Sequence, residues 1–243
     1  MSAATLPEKL QKIRAILFDK DGTLIDFDRT WFTISWTLAQ KTAQGDEGKA
    51  RTLMDEGGYD WDAQRFRANS VIAAGTIEDI VHLWHPDGDA DTITAKVREF
   101  DSFCVAEGAR SAVAIEGLRE TLENLATMGY RLGIATNDSQ AGARATAKAL
   151  GIDAFFDVLI GYDTAPRPKP YAEPLLYFAQ KLDLAPHQIA MVGDNLHDLE
   201  TAHAAKAGLA IGVLSGNSPH AALAPHADVV LKSIADLPKL FER

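Results

Sequence analysis

The second half of this chain of 243 residues alternates short apolar runs with segments of helical spacing. An earlier apolar run, Ala15–Phe18, has the same character and is expected to be a buried strand. Strands that alternate with helices pair in parallel, and the helices cover both faces of the sheet. The sequence therefore predicts an α/β fold whose core is a doubly wound, Rossmann-like parallel sheet. The later strands are predicted at residues 131–135, 157–160, 188–192, 209–213 and 228–231.

Residues 26–109 show a different pattern, with helical spacing and no convincing strand. Polar or glycine-rich breaks separate the helical stretches of this segment. Trp31 and Trp36 belong to the first stretch and are predicted to form part of its apolar interior. We expect an all-helical cap domain at 26–109, inserted into an α/β core that is formed by residues 1–25 and 110–243.

Composition narrows the class of protein. The formal net charge is −10, and an acidic surface repels phosphate backbones, so no nucleic acid partner is expected. Cys104 is the only cysteine, which excludes an internal disulfide and a thiolate metal cluster. No apolar run reaches the ~18 residues that a bilayer requires, and Met1–Leu10 lacks the pattern of a signal peptide. We expect a cytoplasmic enzyme with no membrane partner.

The segment Asp19-Lys20-Asp21-Gly22-Thr23 directly follows the first predicted strand. Side chains alternate in extended chain, so Asp19 and Asp21 are expected on one side and Lys20 on the other. Two neighbouring carboxylates suit a divalent cation and can divide the roles of nucleophile and acid–base catalyst. Asp-x-Asp also occurs in solvated turns and helix caps, but the strand before it and the Gly-Thr pair behind it favour a function.

Three further polar elements follow later strands. Thr136-Asn137-Asp138 can bind phosphate oxygens or cap the next helix. Lys169, between two prolines, can fix a positive charge beside a phosphoryl group or lie on the surface. Asp194 and Asp198 can ligate a metal ion or cap a helix. Because the carboxyl ends of parallel strands meet at one edge of a sheet, we predict that these groups form one site.

In their order these elements resemble the four motifs of the haloacid dehalogenase superfamily, in its phosphatase branch. Asp19–Thr23 resembles the first motif, Thr136 the second, Lys169 the third, and Gly193-Asp194 with Asp198 the fourth. The most similar subgroup is that of the phosphoglycolate phosphatase-like enzymes. The resemblance implies a phosphatase with a helical cap that acts on a small phosphorylated, phosphoglycolate-like metabolite.

The resemblance also implies roles for the acidic residues. Asp19 would be the nucleophile that becomes an aspartyl-phosphate. Asp21 would protonate the leaving oxygen and then activate water. The side chains of Asp19 and Asp194 and the backbone carbonyl of Asp21 would hold Mg²⁺, which prefers oxygen ligands.

The other motif residues would bind the phosphate. Thr136, Asn137 and Lys169 would contact its oxygens, and Lys169 would also stabilise the charge of the transferring group. Asp198 would position Lys169 or a metal-bound water. Catalysis of this kind depends mainly on alignment and charge stabilisation.

The cap would close over the site and select the substrate. Arg65, Ser70 and Thr76 are candidate contacts, because their polar segment leads into a turn at Gly75. A helical cap can mediate a homodimer or stay free, so the sequence is compatible with a monomer and with a homodimer.

Other activities share the core motifs. A sugar-phosphate mutase would contain all of them. A phosphonate hydrolase would need a cap lysine that forms a Schiff base, for which Lys41 and Lys49 are candidates. A dehalogenase is disfavoured because that branch usually lacks the second aspartate, here Asp21. A non-enzymatic phosphate-binding protein is disfavoured because every motif residue is present.

Overall fold

The computed structural model describes residues 5–242, so residues 1–4 and 243 of the predicted core lie outside the described residues. The six strands predicted from the apolar runs are all present, with bounds that differ by no more than one residue. Two further strands lie in the predicted cap. The strands are β1 (Ala15–Phe18), β2 (Tyr59–Asp60), β3 (Arg65–Phe66), β4 (Arg131–Ala135), β5 (Val158–Ile160), β6 (Ile189–Gly193), β7 (Leu209–Val213) and β8 (Val229–Leu231).

The α-helices alternate with the core strands and fill most of the segment between β1 and β4. Several begin at a side-chain cap: Asp26 accepts a hydrogen bond from the backbone N–H of Arg29, and Ser139 accepts one from Gly142. The helices are α1 (Leu6–Leu10), α2 (Phe27–Thr42), α3 (Glu47–Gly57), α4 (Val71–Ala74), α5 (Ile77–Trp84), α6 (Ala90–Ser111), α7 (Leu118–Thr127), α8 (Gln140–Ala149), α9 (Glu173–Leu182), α10 (Leu196–Ala205), α11 (His220–Leu223) and α12 (Leu237–Phe241).

The six core strands form one sheet in the order β5-β4-β1-β6-β7-β8, and every neighbouring pair is parallel. This confirms the predicted α/β fold. β1 lies in the middle, where Phe18 is in register with Ile134 of β4 and Val192 of β6. The carboxyl ends of these three strands are therefore adjacent at one edge of the sheet.

Both faces of the sheet are covered, as expected for a doubly wound core. Ile16 and Phe18 pack on one face with apolar residues of α7 and α8. Ala15 and Leu17 point to the other face, towards α9 and α10. The whole of β1 is consequently buried, which fixes the position at which the chain leaves the strand and enters Asp19.

The predicted cap segment has its own apolar core, built mainly from α2, α3, α5 and α6. Trp31 is buried in this core and Trp36 packs against it, as the sequence predicts. The expectation of an all-helical cap is wrong in one detail, because β2 and β3 form a short antiparallel ribbon. Strands of two residues are too short to show a period of two in the sequence. No helix in the described part of the chain has the length and apolar character needed to cross a membrane.

Candidate active site

The polar motifs that follow neighbouring strands meet at one edge of the sheet. Asp19 comes directly after β1, Thr136 after β4 and Asp194 after β6. The loop that follows β5 brings Lys169 to the same place. All four side chains line one cavity of about 50 Å³, whose other wall belongs to the cap helices. The structure therefore brings together residues that are far apart in the sequence.

Lys169 is the buried cation of this site. Its Nζ donates to Oδ1 of Asp19 at 2.5 Å and to Oδ1 of Asp198 at 2.6 Å. Burial alone would lower the pKa of Lys169, but the carboxylates of Asp19 and Asp198 raise it above its ordinary value. The side chain is therefore a fixed positive charge beside Asp19 and does not lie on the surface.

Three buried carboxylates surround this lysine. Oxygen atoms of Asp19, Asp194 and Asp198 lie within 4.8 Å of one another. Burial raises the pKa of Asp19 to about 7, although Lys169 opposes the change. Burial also raises the pKa of Asp194, and the nearby carboxylates of Asp19 and Asp198 raise it further. The raised pKa values reflect three carboxylates that share one ammonium, and a divalent cation such as Mg²⁺, which prefers hard oxygen ligands, would favour their ionised forms.

Asp198 differs from the other two carboxylates in its contacts. Its Oδ1 accepts from Lys169, and its Oδ2 accepts the backbone N–H of Asn195 at 3.0 Å. Both oxygens are thus engaged in orienting Lys169 and in starting α10. Asp19 and Asp194 are the remaining side chains of the cluster that could hold a metal ion.

Two glycines pack tightly against Asp194, one in the loop after β7 and one in the turn after Asp21. A Cβ on Gly216 would lie 1.9 Å from Oδ2 of Asp194, and a Cβ on Gly22 would lie 2.6 Å from its Cγ. Asn217 donates its backbone N–H to the same Oδ2 at 3.1 Å. Sequence reasoning missed this loop. Its position after a strand of the same sheet, at the same edge as Asp194, is the signal that could have identified it.

Asp21 is held by donors from three parts of the chain. Nζ of Lys20 lies 3.0 Å from its Oδ2, and Oγ1 of Thr136 donates to the same oxygen at 3.4 Å. Nε1 of Trp31, on the first cap helix, donates to Oδ1. The candidate acid–base residue is therefore in direct contact with the cap. The sequence predicts Trp31 as cap core, and it has this second role as well.

The predicted orientation of Lys20 is wrong. Strand alternation predicts that Lys20 and Asp21 point to opposite sides. The ammonium of Lys20 instead lies 3.0 Å from Oδ2 of Asp21 and 2.9 Å from Oδ2 of Asp138. Regular alternation ends with β1 at Phe18, and Gly22, with φ of +84°, then turns the chain. A rule that holds for extended chain does not apply beyond that point. Lys20 and Asp138 together form a second buried ion pair next to the site.

Asn137 connects the cap with the loop that carries Lys169. Its Nδ2 donates to the carbonyl of Ala74 at 2.9 Å and to that of Lys169 at 3.1 Å. Its Oδ1 accepts the backbone N–H of Lys169 at 3.1 Å. Nδ1 of His197 lies 3.3 Å from the same carbonyl of Ala74. The Asn137 amide is thus engaged with backbone groups, while its predicted contact with phosphate remains a prediction.

Comparison with known proteins agrees with this geometry. Residues 13–206 match the family described as haloacid dehalogenase-like hydrolase. The chain belongs to this family. The match spans the segments that contain Asp19, Lys169, Asp194 and Asp198, and it confirms the prediction of an enzyme of the hydrolase class.

Several curated relatives of this haloacid dehalogenase-like hydrolase are named phosphoglycolate phosphatase. That of Mannheimia succiniciproducens is 34% identical over 152 residues, which cover 62% of this chain and 67% of the relative. That of Salmonella typhimurium is 29% identical over 248 residues, which cover 95% of this chain and 93% of the relative.

Solved structures support the fold of this hydrolase. A predicted phosphoglycolate phosphatase from Haemophilus somnus superposes with a TM-score of 0.72 at 24% identity, covering 95% of this chain and 99% of the other. A haloacid dehalogenase-like hydrolase from Bacteroides fragilis gives a TM-score of 0.74 at 21% identity, covering 93% and 99%. At these identities the similarity concerns the fold alone.

The cap side of the hydrolase's cavity is apolar. Phe27 and Trp31 of α2 contribute to this wall, and residues 72–75 with Ile77 and Ile80 supply the rest. The wall contains no arginine or lysine among the described residues that line the cavity. The surface of the cap that faces the cavity is therefore formed mainly by apolar residues of α2, α4 and α5.

The three cap residues predicted as substrate contacts lie outside this lining. Nη2 of Arg65 donates to Oδ1 of Asn217 at 3.2 Å, which connects the cap with the loop that contacts Asp194. Thr76 caps α5 and bonds to Asp79. Oγ of Ser70 is buried and has no hydrogen-bond partner among the described residues. The contacts of Arg65 and Thr76 are thus with the loop after β7 and within the cap, and the role of all three residues in binding substrate remains a prediction.

Proposed function

We propose that this hydrolase is a magnesium-dependent phosphatase that transfers the phosphoryl group of a small phosphomonoester, about the size of phosphoglycolate, to Asp19. The observation that carries the proposal is the position of Lys169, whose Nζ lies 2.5 Å from Asp19 Oδ1 within a cluster of buried carboxylates. A fixed cation beside a nucleophile can stabilise the charge on transferring phosphoryl oxygens. The names of the curated relatives support the same class of substrate.

The first chemical step would form an aspartyl-phosphate. A carboxylate oxygen of Asp19 bonds to phosphorus while the bond between phosphorus and the leaving oxygen breaks. Asp21 gives its proton to that oxygen, and an alcohol leaves. Asp21 contacts Trp31 of α2, so a proton held by this carboxyl would lie where the cap meets the core.

The second step would regenerate the enzyme. Asp21 takes a proton from a water molecule, whose oxygen attacks the phosphorus of the aspartyl-phosphate. The bond between phosphorus and the Asp19 oxygen breaks, and inorganic phosphate leaves. Asp21 is protonated again, so the next cycle can begin.

Mg²⁺ would be held by the side chains of Asp19 and Asp194 and by the backbone carbonyl of Asp21. When bound, it would supply positive charge next to the transferring phosphoryl group. Thr136 and Lys169 would bind the phosphate oxygens, and Asp198 would keep Lys169 in place through the contact at 2.6 Å.

The decisive experiment combines turnover with detection of the intermediate. Phosphate release from phosphoglycolate and a panel of small phosphomonoesters is measured with Mg²⁺, and acid-quenched protein is analysed by mass spectrometry for a phosphoryl group on Asp19. Asp19→Asn should remove both signals and leave thermal unfolding intact. Asp153→Asn, a change at an exposed aspartate, is the matched control. Normal turnover in Asp19→Asn would contradict the assignment of the nucleophile.

The competing activities receive less support. Lys49 is exposed and pairs with Asp46, and Lys41 lies over the ring of Phe103 at 4.0 Å, so neither candidate Schiff-base lysine lines the cavity. A sugar-phosphate mutase shares the core residues. It would convert a hexose phosphate without net release of phosphate, which the same assay distinguishes.

A further inference from the structure

The cavity has two chemically different walls. The core wall contains the carboxylates of Asp19 and Asp194 and the ammonium of Lys169. The facing cap wall is built around Ile72 and Ile80, with Ile77 beside them, and the three isoleucines are at most 6% exposed. A phosphomonoester whose phosphate sits at Asp19 would therefore present its leaving group to apolar side chains.

Polar groups near the cap wall already have partners. Nε1 of Trp31 donates to Asp21. The carbonyl of Ala74 accepts from Asn137 at 2.9 Å and lies 3.3 Å from Nδ1 of His197. Because a carbonyl only accepts, Nδ1 of His197 is the donor there. Nε1 of Trp31 and Nδ1 of His197 are therefore engaged within the protein and are not free to bind a negatively charged leaving group.

Lys169 does not provide a partner for a negatively charged leaving group at the cap wall. It is the only lysine or arginine among the described residues that line the cavity. Its ammonium is bonded to Asp19 and Asp198, so it lies on the phosphate side of the cavity. A second anionic group at the cap wall would lose its hydration without gaining an ionic partner, which is unfavourable. An apolar group at the same place would gain from burial.

We propose, building on the phosphatase function above, that the cavity selects phosphomonoesters with a small, uncharged and apolar leaving group. Ile72, Ile77 and Ile80 are the residues that determine this specificity. The preferred substrate class therefore differs from phosphoglycolate in the charge of its leaving group, although the size of the molecule is similar.

The test compares two esters of similar shape. Isobutyl phosphate has two methyl groups where phosphoglycolate has two carboxylate oxygens, and carbamoylmethyl phosphate is the neutral, polar amide of phosphoglycolate. With Mg²⁺ and phosphate release as the readout, kcat/KM for isobutyl phosphate should exceed that for phosphoglycolate by about tenfold or more. The amide should fall between the two.

The outcomes separate this proposal from the proposed function. A higher kcat/KM for phosphoglycolate would overturn the assignment of an apolar leaving group and leave the phosphatase standing. Failure to hydrolyse any ester, with no phosphoryl group on Asp19 after acid quench, would overturn the phosphatase and the specificity together.

A reciprocal variant tests the role of the wall. Ile80→Lys adds a cation to the cap side of the cavity and should shift the ratio of kcat/KM towards phosphoglycolate by about tenfold or more. Ile80→Met keeps an apolar side chain and should retain the preference for isobutyl phosphate. His82→Lys adds a cation on the exposed face of the same helix and should leave the ratio unchanged. An unchanged ratio in folded Ile80→Lys would contradict the role of this wall. If thermal unfolding shows that Ile80→Lys does not fold, the comparison of esters with the wild-type protein still decides.

Discussion

The ammonium of Lys20 lies 2.9 Å from Oδ2 of Asp138, and both side chains are buried next to Asp21. Burial alone would lower the pKa of Lys20, but the carboxylates of Asp138 and Asp21 raise it. Lys20 also contacts Asp21, just as Lys169, which pairs with Asp198, contacts Asp19. Asp19 and Asp21 therefore each contact a buried lysine of their own, and each lysine has a second carboxylate as a partner.

Removing Lys20 should destabilise the protein more than removing the whole pair. Lys20→Met leaves Asp138 and Asp21 buried without their cation, which should lower the free energy of unfolding by about 3–5 kcal/mol. The double variant Lys20→Met/Asp138→Asn should recover a substantial part of that loss. Urea denaturation measures both. Lys49→Met, at an exposed ion pair, should show no measurable change. Equal losses in the single and double variants would argue against this pairing.

Mg²⁺ should stabilise the wild-type protein through Asp194. Binding to the native state alone raises the free energy of unfolding by about 2.7 kcal/mol at 100 times the dissociation constant. Thermal unfolding should therefore shift upward with Mg²⁺ and return with excess chelator. Asp194→Asn should lose most of this shift, whereas Asp91→Asn, at an exposed aspartate of the cap, should keep it. A full shift in Asp194→Asn would place the ion elsewhere.

A methyl group at position 216 should disturb the carboxylate of Asp194. Cβ of an alanine there would lie 1.9 Å from Oδ2, so either the loop or Asp194 has to move. We expect Gly216→Ala to raise the Mg²⁺ concentration at half-maximal activity and to lower kcat by about tenfold or more. Gly48→Ala is the control, because its nearest neighbour lies at 3.4 Å. Normal Mg²⁺ dependence in Gly216→Ala would show that the loop adapts without affecting the site.

Asn137 should affect kcat through the position of Lys169. Asn137→Ala removes the bonds to both backbone groups of Lys169 and the bond to Ala74. We expect kcat to fall by about 100-fold, since small displacements of catalytic groups have effects of this size. Steady-state kinetics measure the change, with thermal unfolding as a check on folding. Asn124→Ala, at an exposed asparagine of α7, is the control and should leave kcat unchanged. A normal kcat in folded Asn137→Ala would contradict the role of these bonds.

Much of the core could be predicted from the sequence, because apolar runs mark the strands and parallel pairing brings the ends of these strands together. Apolar runs at Ala15–Phe18 and at the later strands predicted the sheet correctly, since buried parallel strands are continuously apolar. The meeting of Asp19, Lys169 and Asp194 followed from one general rule, that parallel strands end at a common edge. In the cap, helical spacing located the main helices but could not reveal the ribbon of β2 and β3.

The remaining contacts depend on features that a sequence pattern does not encode. Lys20 was misplaced because the chain leaves extended geometry before reaching it, and the partner Asp138 is more than 100 residues away. The loop at Gly216 follows a strand without any charged motif of its own. The lining of the cap wall depends on how α4 and α5 are oriented against the core, which is a property of tertiary packing.

The central position of β1 has a consequence for how the protein is made. The two partners of this strand, β4 and β6, are synthesised more than 100 residues after it. Pairings between distant segments are slow to form, and newly made chains expose unpaired strands until their partners arrive. Asp19 therefore lies at the end of an unpaired strand until the segments that carry Lys169 and Asp194 have been synthesised. The site around Asp19 should therefore assemble only after the segment that carries Asp194 has emerged from the ribosome.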